Sequence, residues 1–138
     1  MNVGIVGLGL IGGSMAKSIK ARTADTVWGV DLNHETMTLA RMCGAIDAPL
    51  TDENLPQCDL ILIAIRPGAA IEWVNRYAPL IAKSAIVVDL CGVKRVVVGG
   101  IAPWRSSTAS PTSAATPWPA RSGGASPPPP TTCMWAPP

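Results

Sequence analysis

The stretch Val3-Gly4-Ile5-Val6-Gly7-Leu8-Gly9-Leu10-Ile11-Gly12-Gly13 decides the fold. Val3 to Val6 is a short apolar run ending in glycine, the pattern of a parallel strand buried on both faces. Ile11 to Ala21 follows with Ile11, Met15, Ile19 and alanines at helical spacing. Lys17, Lys20 and Arg22 gather towards its end, where cations suit the helix dipole. Between strand and helix, Gly7, Gly9 and Gly12 stand at GxGxxG spacing. There Gly7 permits the tight turn, Gly9 lets a pyrophosphate approach the backbone, and Gly12 lets the helix pack on the strand. The unpaired amides of a helix beginning near Leu10 complete an anion site. Gly7, Leu8, Gly9, Leu10, Ile11 and Gly12 are thus the expected dinucleotide-binding loop. The alternative is a glycine-rich turn that holds no ligand.

Outward from the loop, strands and helices alternate. Val27 to Val30 reads as a second strand ending at Asp31, and Asn33 as the N-cap of a helix from His34 to Met42 closed by Gly44. Asp59 to Ile65 and Ala85 to Asp89 are the third and fourth strands, with a helix between them over Ala69 to Ala82. This order predicts an α/β fold, a Rossmann-type doubly wound parallel sheet. Asp31 falls about 20 residues past the loop, where a carboxylate receives the ribose 2′-hydroxyl. A 2′-phosphate would meet a like charge there, so the expected cofactor is NAD rather than NADP; the competing role for Asp31 is capping of the next helix. Arg66, before Pro67 and Gly68, follows the third strand at the edge where ligands sit and joins the cofactor-binding set. His34, the single histidine, reads as solvated, and Asp89 either orients loops near the nicotinamide or caps a helix.

Composition narrows the function classes. Charged residues are 14% of the chain and the net charge is +2, too little to suggest nucleic acid or an anionic membrane as partner. Leu60 to Ile65, the longest apolar stretch, is too short to span a bilayer, and no signal peptide is evident. Cys43, Cys58, Cys91 and Cys133 lie far apart without a CxxC pair, so reduced buried thiols in a cytoplasmic protein are expected and no metal site is.

A break falls after Pro103. From Trp104 onward there is no Leu, Ile, Val or acidic residue, and nine of the 14 prolines lie there. Such a segment cannot bury enough apolar surface to offset about 1–2 kcal/mol of backbone entropy per residue. The expected organisation is a nucleotide-binding domain over 1–103, with an incomplete sheet, and a disordered tail over 104–138. A proline-rich ligand segment for another domain is the functional alternative for the tail.

VGIVGLGLIGGSMAKSIK, the strand end VWGVDLN, GAID at Gly44 to Asp47, DLILIAI followed by PGA up to Ala69, and VVDLCGVKR at Val87 to Arg95 together resemble prephenate dehydrogenases. These tyrosine-pathway enzymes are close relatives of arogenate dehydrogenases. The resemblance covers residues 2 to 103. It implies NAD-dependent oxidative decarboxylation of prephenate to 4-hydroxyphenylpyruvate, with a hydride passing to the nicotinamide as carbon dioxide leaves. It also implies a histidine that assists proton removal from the ring hydroxyl, basic residues on the carboxylates, and a homodimer built by a helical second domain. Lys94, beside Arg95, is the candidate substrate-binding cation, the alternative being a solvated basic residue at a helix start. The family's histidine lies in a GGHPMAGTE-like motif that this chain lacks, so no catalytic residue is assigned and the chain itself is expected to be inactive. Where many members carry a serine in GSxK, this chain has Gly92. Two rival readings remain: a stand-alone NAD-binding module, and another small Rossmann dehydrogenase acting on arogenate, an imine or ketopantoate.

The genetic code offers an origin for the tail. Read one base out of frame, the codon junctions across Thr112 to Ser122 permit Ile-Gly-Gly-His-Pro-Met-Ala-Gly-Thr-Glu, and Trp118-Pro119 forces the alanine. Across Ala125 to Pro137 they permit GF-like and alanine positions and then Asp-Asp-Leu-Tyr-Val-Gly-Ala, with the valine and glycine forced by Met134-Trp135-Ala136. A single-base frameshift near the codons for Pro103 and Trp104 accounts for both.

Overall fold

The computed structural model describes residues 1–92 together with 96, 97, 99 and 100. The expectations for Lys94, for Cys133 and for the tail over 104–138 lie outside the described residues. Five strands form one parallel sheet: β1 (Asn2–Val6), β2 (Thr26–Val30), β3 (Ala48–Pro49), β4 (Leu60–Ile63) and β5 (Ile86–Asp89). Their spatial order is β3-β2-β1-β4-β5. The connections carry helices α1 (Leu10–Arg22), α2 (His34–Met42) and α3 (Pro67–Tyr77).

Strand alternation divides the apolar residues between two cores. Val3 and Ile5 of β1, Val27 of β2 and Leu62 of β4 face one side with Ala16 of α1 and Ala40 of α2. Val6, Ile61, Ile63 and Val87 face the other with Ala70 and Val74 of α3. Helices on both faces are why β1 from Val3 onward and β4 are apolar at successive rather than alternate positions. The doubly wound parallel sheet read from the sequence is the fold observed.

Three details depart from the reading. The edge strand β3 and a 3-10 turn at Leu55–Gln57 were not anticipated, so the strand at Leu60–Ile63 is fourth rather than third. Two residues of β3 are too few to leave a period, and Pro49 ends the pairing. Helix α3 begins at Pro67 rather than Ala69 and ends at Tyr77 rather than Ala82. Proline is pre-set for the first helical position, and Pro79 cannot extend the helix. On α1 the expected apolar stripe holds only in part, since Ala16 and Ile19 meet the core but the other two large residues do not. Ile11 and Met15 are exposed, while Gly12, Gly13 and Ala16 are buried. The helix packs close to the sheet through its small residues, which lifts the larger ones outward.

Candidate functional site

The strand order changes direction at β1: the chain moves outward through β2 and β3, then returns to place β4 on the other side. Such a switch point opens a crevice at the carboxyl ends of the strands, and the glycine loop lies there. Gly7 follows β1 with φ +89, a left-handed conformation that a side chain resists, and a Cβ would stand 2.5 Å from Ile65 Cγ2. Gly12 is excluded from change by the backbone itself, because a Cβ there would come within 1.8 Å of the Gly7 carbonyl oxygen. Gly9 differs from both. Its φ is −66, open to any residue, and a Cβ would meet nothing within 4 Å.

Gly9 is the N-cap of α1, and no side chain caps that end. The N–H groups of Leu10, Ile11 and Gly12 occupy the first turn, where a helix supplies no acceptor. The loop therefore offers an uncapped positive helix end beside a clear approach to backbone. Leu8 plays a different part from its neighbours. Its side chain is 1% exposed, and its N–H donates to Asp31 Oδ2 at 2.7 Å. It anchors the loop, and its amide is already engaged.

Asp31 lies at the end of β2 and its second oxygen accepts from the Asn33 N–H at 2.9 Å. It does not cap α2. Asn33 does so, its side-chain oxygen accepting from the N–H groups of Glu35 and Thr36. The acid beside the loop is thus free of the capping role that competed for it. His34 is exposed at the first position of α2, and an open groove of about 690 Å³ runs from Asp31 past His34, Thr38 and Arg41 to Asp47.

On the other side of β1, Ala64 donates to the Val6 carbonyl at 2.7 Å and brings the turn after β4 against the glycine loop. Arg66 is exposed at the N-cap of α3 on this same edge. Asp89 ends β5 and accepts from the Cys91 N–H at 2.8 Å, while the Cys91 thiol donates to the Ile65 carbonyl at 2.8 Å. The turns after β4 and β5 are tied together by that thiol, a link the sequence carried no signal for. Of the thiols expected to be buried, Cys58 and Cys91 are, whereas Cys43 is exposed at the end of α2. A cysteine just past an amphipathic helix has no periodic position from which burial follows. Burial, with the neighbouring Asp59 charge, pushes the Cys58 thiol up to about 11. No helix among the described residues is long and apolar enough to cross a membrane.

Comparison with known proteins adds independent findings. No curated protein matches the chain. The solved prephenate dehydrogenase from A. aeolicus, in complex with hydroxyphenyl propionate and NAD+, superposes with TM-score 0.69 at 25% identity, covering 78% of this chain and 39% of that one. The arogenate dehydrogenase of Synechocystis gives 0.70 at 25% identity, covering 77% and 38%. An imine reductase of Streptomyces aurantiacus, at 17% identity, TM-score 0.63 and coverage of 77% and 38%, shares the fold alone. The chain spans 38–39% of the length of these proteins. Residues 15–108 match the family model described as prephenate dehydrogenase, nucleotide-binding domain. That match begins beyond Gly12, so it does not draw on the glycine loop, and it covers more than half of the chain: the chain belongs to the prephenate dehydrogenase family, in its nucleotide-binding domain.

Proposed function

We propose that residues 1–103 are the NAD-binding domain of a cytoplasmic dehydrogenase that converts prephenate to 4-hydroxyphenylpyruvate in tyrosine biosynthesis. The observation that carries the cofactor reading is Gly9. The fold needs glycine at Gly7 and Gly12, but it leaves open the space over Gly9 that a side chain would fill. A pyrophosphate laid across the uncapped start of α1 needs that space. NAD supplies the hydride acceptor when bound. The amides of Leu10, Ile11 and Gly12 hold its phosphates, Asp31 accepts the ribose hydroxyl, and Arg66 borders the crevice from the β4 side. Lys94 is assigned to a substrate carboxylate on the family resemblance.

Titration calorimetry with NAD tests this directly. The 138-residue chain should bind NAD, and Gly9→Ala should weaken binding by about tenfold or more while leaving the melting temperature unchanged. Equal affinity in the two proteins would remove the support that Gly9 gives.

We further propose that residues 104–138 are an out-of-frame reading of the segment that carries the family's histidine motif. The chain then binds cofactor without turning over substrate. Genomic sequence across the codons for Pro103 and Trp104 should reveal the shifted base. The frame-restored protein should form NADH with prephenate, and the 138-residue chain should not. Arogenate is the second reading for the substrate, because the arogenate and prephenate enzymes resemble this chain at the same 25% identity. Assaying the restored protein on both substrates separates them. A restored protein that binds NAD and oxidises neither would favour the stand-alone module.

A further inference from the structure

The glycine loop is latched to the end of β2 at three points. The Gly7 N–H donates to the Val30 carbonyl at 2.8 Å, and the Leu8 N–H to Asp31 Oδ2 at 2.7 Å. The Leu8 methyl groups lie where a Cβ on Gly29 would find them at 3.0 Å, so the side chain is seated directly on β2. Only one of these contacts is made by a polar side chain, and that side chain also holds the Asn33 N–H at 2.9 Å. Asn33 in turn caps α2. A single carboxylate therefore joins the loop, the end of β2 and the start of α2.

We propose that Asp31 is a positioning residue for the pyrophosphate loop, in addition to receiving the ribose. This rests on the nucleotide reading above. Leu8 stands one residue before Gly9, whose backbone begins the phosphate-binding turn. Removing the charged acceptor frees the Leu8 N–H at a part-buried site, and the turn after it loses its fixed origin. Asp31 then contributes to dinucleotide affinity by two routes, one through the ribose hydroxyl and one through the geometry of the Leu10, Ile11 and Gly12 amides. An acid that only recognised ribose would use the first route alone.

The two routes separate with 2′-deoxy-NAD, lacking the adenosine 2′-hydroxyl. Asp31→Ala in the full chain should weaken NAD binding and should also weaken 2′-deoxy-NAD binding by about tenfold. Hydrogen exchange in the ligand-free protein gives an independent readout. The Leu8 amide should exchange faster in Asp31→Ala, while the Ile86 amide, bonded to the Asp59 carbonyl at the far end of the sheet, should not change. Wild-type affinity for 2′-deoxy-NAD together with wild-type exchange at Leu8 would overturn the proposal.

If Ile86 protection is also lost, Asp31→Ala has unfolded the domain and Asp31→Asn takes its place. Leu8 and Asn33 are held by different oxygens of the carboxylate, so in the same side-chain orientation the amide offers its oxygen to one of them and its NH2 to the other. Exchange should quicken at one of those two amides, and unchanged exchange at both would overturn the proposal. Should the wild-type chain bind neither dinucleotide, the nucleotide reading fails, and Leu8 exchange alone decides whether Asp31 braces the loop.

Discussion

Glycines with the same spacing role in a motif hold their places for different physical reasons here. Gly7 answers to its own backbone dihedral, Gly12 to the carbonyl oxygen of Gly7, and Gly9 to neither. The consequence is a separation of phenotypes. Gly12→Ala forces a methyl group into a backbone oxygen, which no rotamer can relieve, and should cost about 3 kcal/mol or more of stability. Chemical denaturation checks this, and a midpoint near wild type would mean that α1 can move off the loop. Gly9→Ala should leave the same curve unmoved. The motif was legible in the sequence as three glycines and an acid at the right distances. Which glycine serves the fold and which serves a ligand was not legible, because that depends on the atoms brought near each one. The same holds for Asp31, whose bond to Leu8 crosses between segments that only the sheet places side by side.

Elements here are held at their ends by a few polar groups. Asp47, in the stretch after α2, accepts from the Val27 N–H at 2.7 Å and from Lys20 Nζ at 2.9 Å. One carboxylate thereby ties the end of α1 to the start of β2. The Val27 N–H, and then the Lys20 ammonium, hold the Asp47 carboxyl below its usual value of 3.8. Because the folded pKa lies below the unfolded one, the stabilisation is complete above about pH 4 and is lost as pH falls through the lower folded value. Asp47→Asn should cost about 1 kcal/mol at pH 7, a modest figure because the ion pair is partly solvated. The difference from wild type should shrink when thermal melts are repeated at progressively lower pH below about 4. A constant difference across that range would place the effect elsewhere. The lysine was visible beforehand only as a cation near a helix end, and the aspartate only as part of GAID. Their pairing needed the fold.

At the scale of the whole molecule, the sheet separates two cores, and Cys58 and Cys91 both lie in the one on the α3 face. Cys58 is buried in the core on the α3 face with its thiol pushed up to about 11, while Cys43 is exposed. The thiolate is the reactive form, so iodoacetamide at pH 8 should modify Cys43 in the native protein and reach Cys58 only on unfolding. Peptide mass mapping at increasing denaturant would show it, and early modification of Cys58 would mean that the core opens below the global transition. The same scale exposes a feature of α1. Leu10 is 73% exposed and Ile11 55%, at the crevice end of a chain that spans 38–39% of the length of its solved relatives.

By itself the sequence determined the alternation of four of the five strands with helices, the two-faced burial of the central strands, the position of the loop and the family. All of these rest on local pattern: apolar runs, helical spacing, caps such as Asn33, and glycine at fixed intervals. The tertiary structure alone decided that α1 packs through Gly12, Gly13 and Ala16 rather than through Ile11 and Met15. It alone decided that Leu8 is an anchor, that Asp31 holds the loop, and that Cys91 links two turns. The reason is physical. Periodicity records which residues tend to be buried, but the closeness of a helix to a sheet is set by the smallest residues between them, and contacts across strands exist only once the strands are side by side.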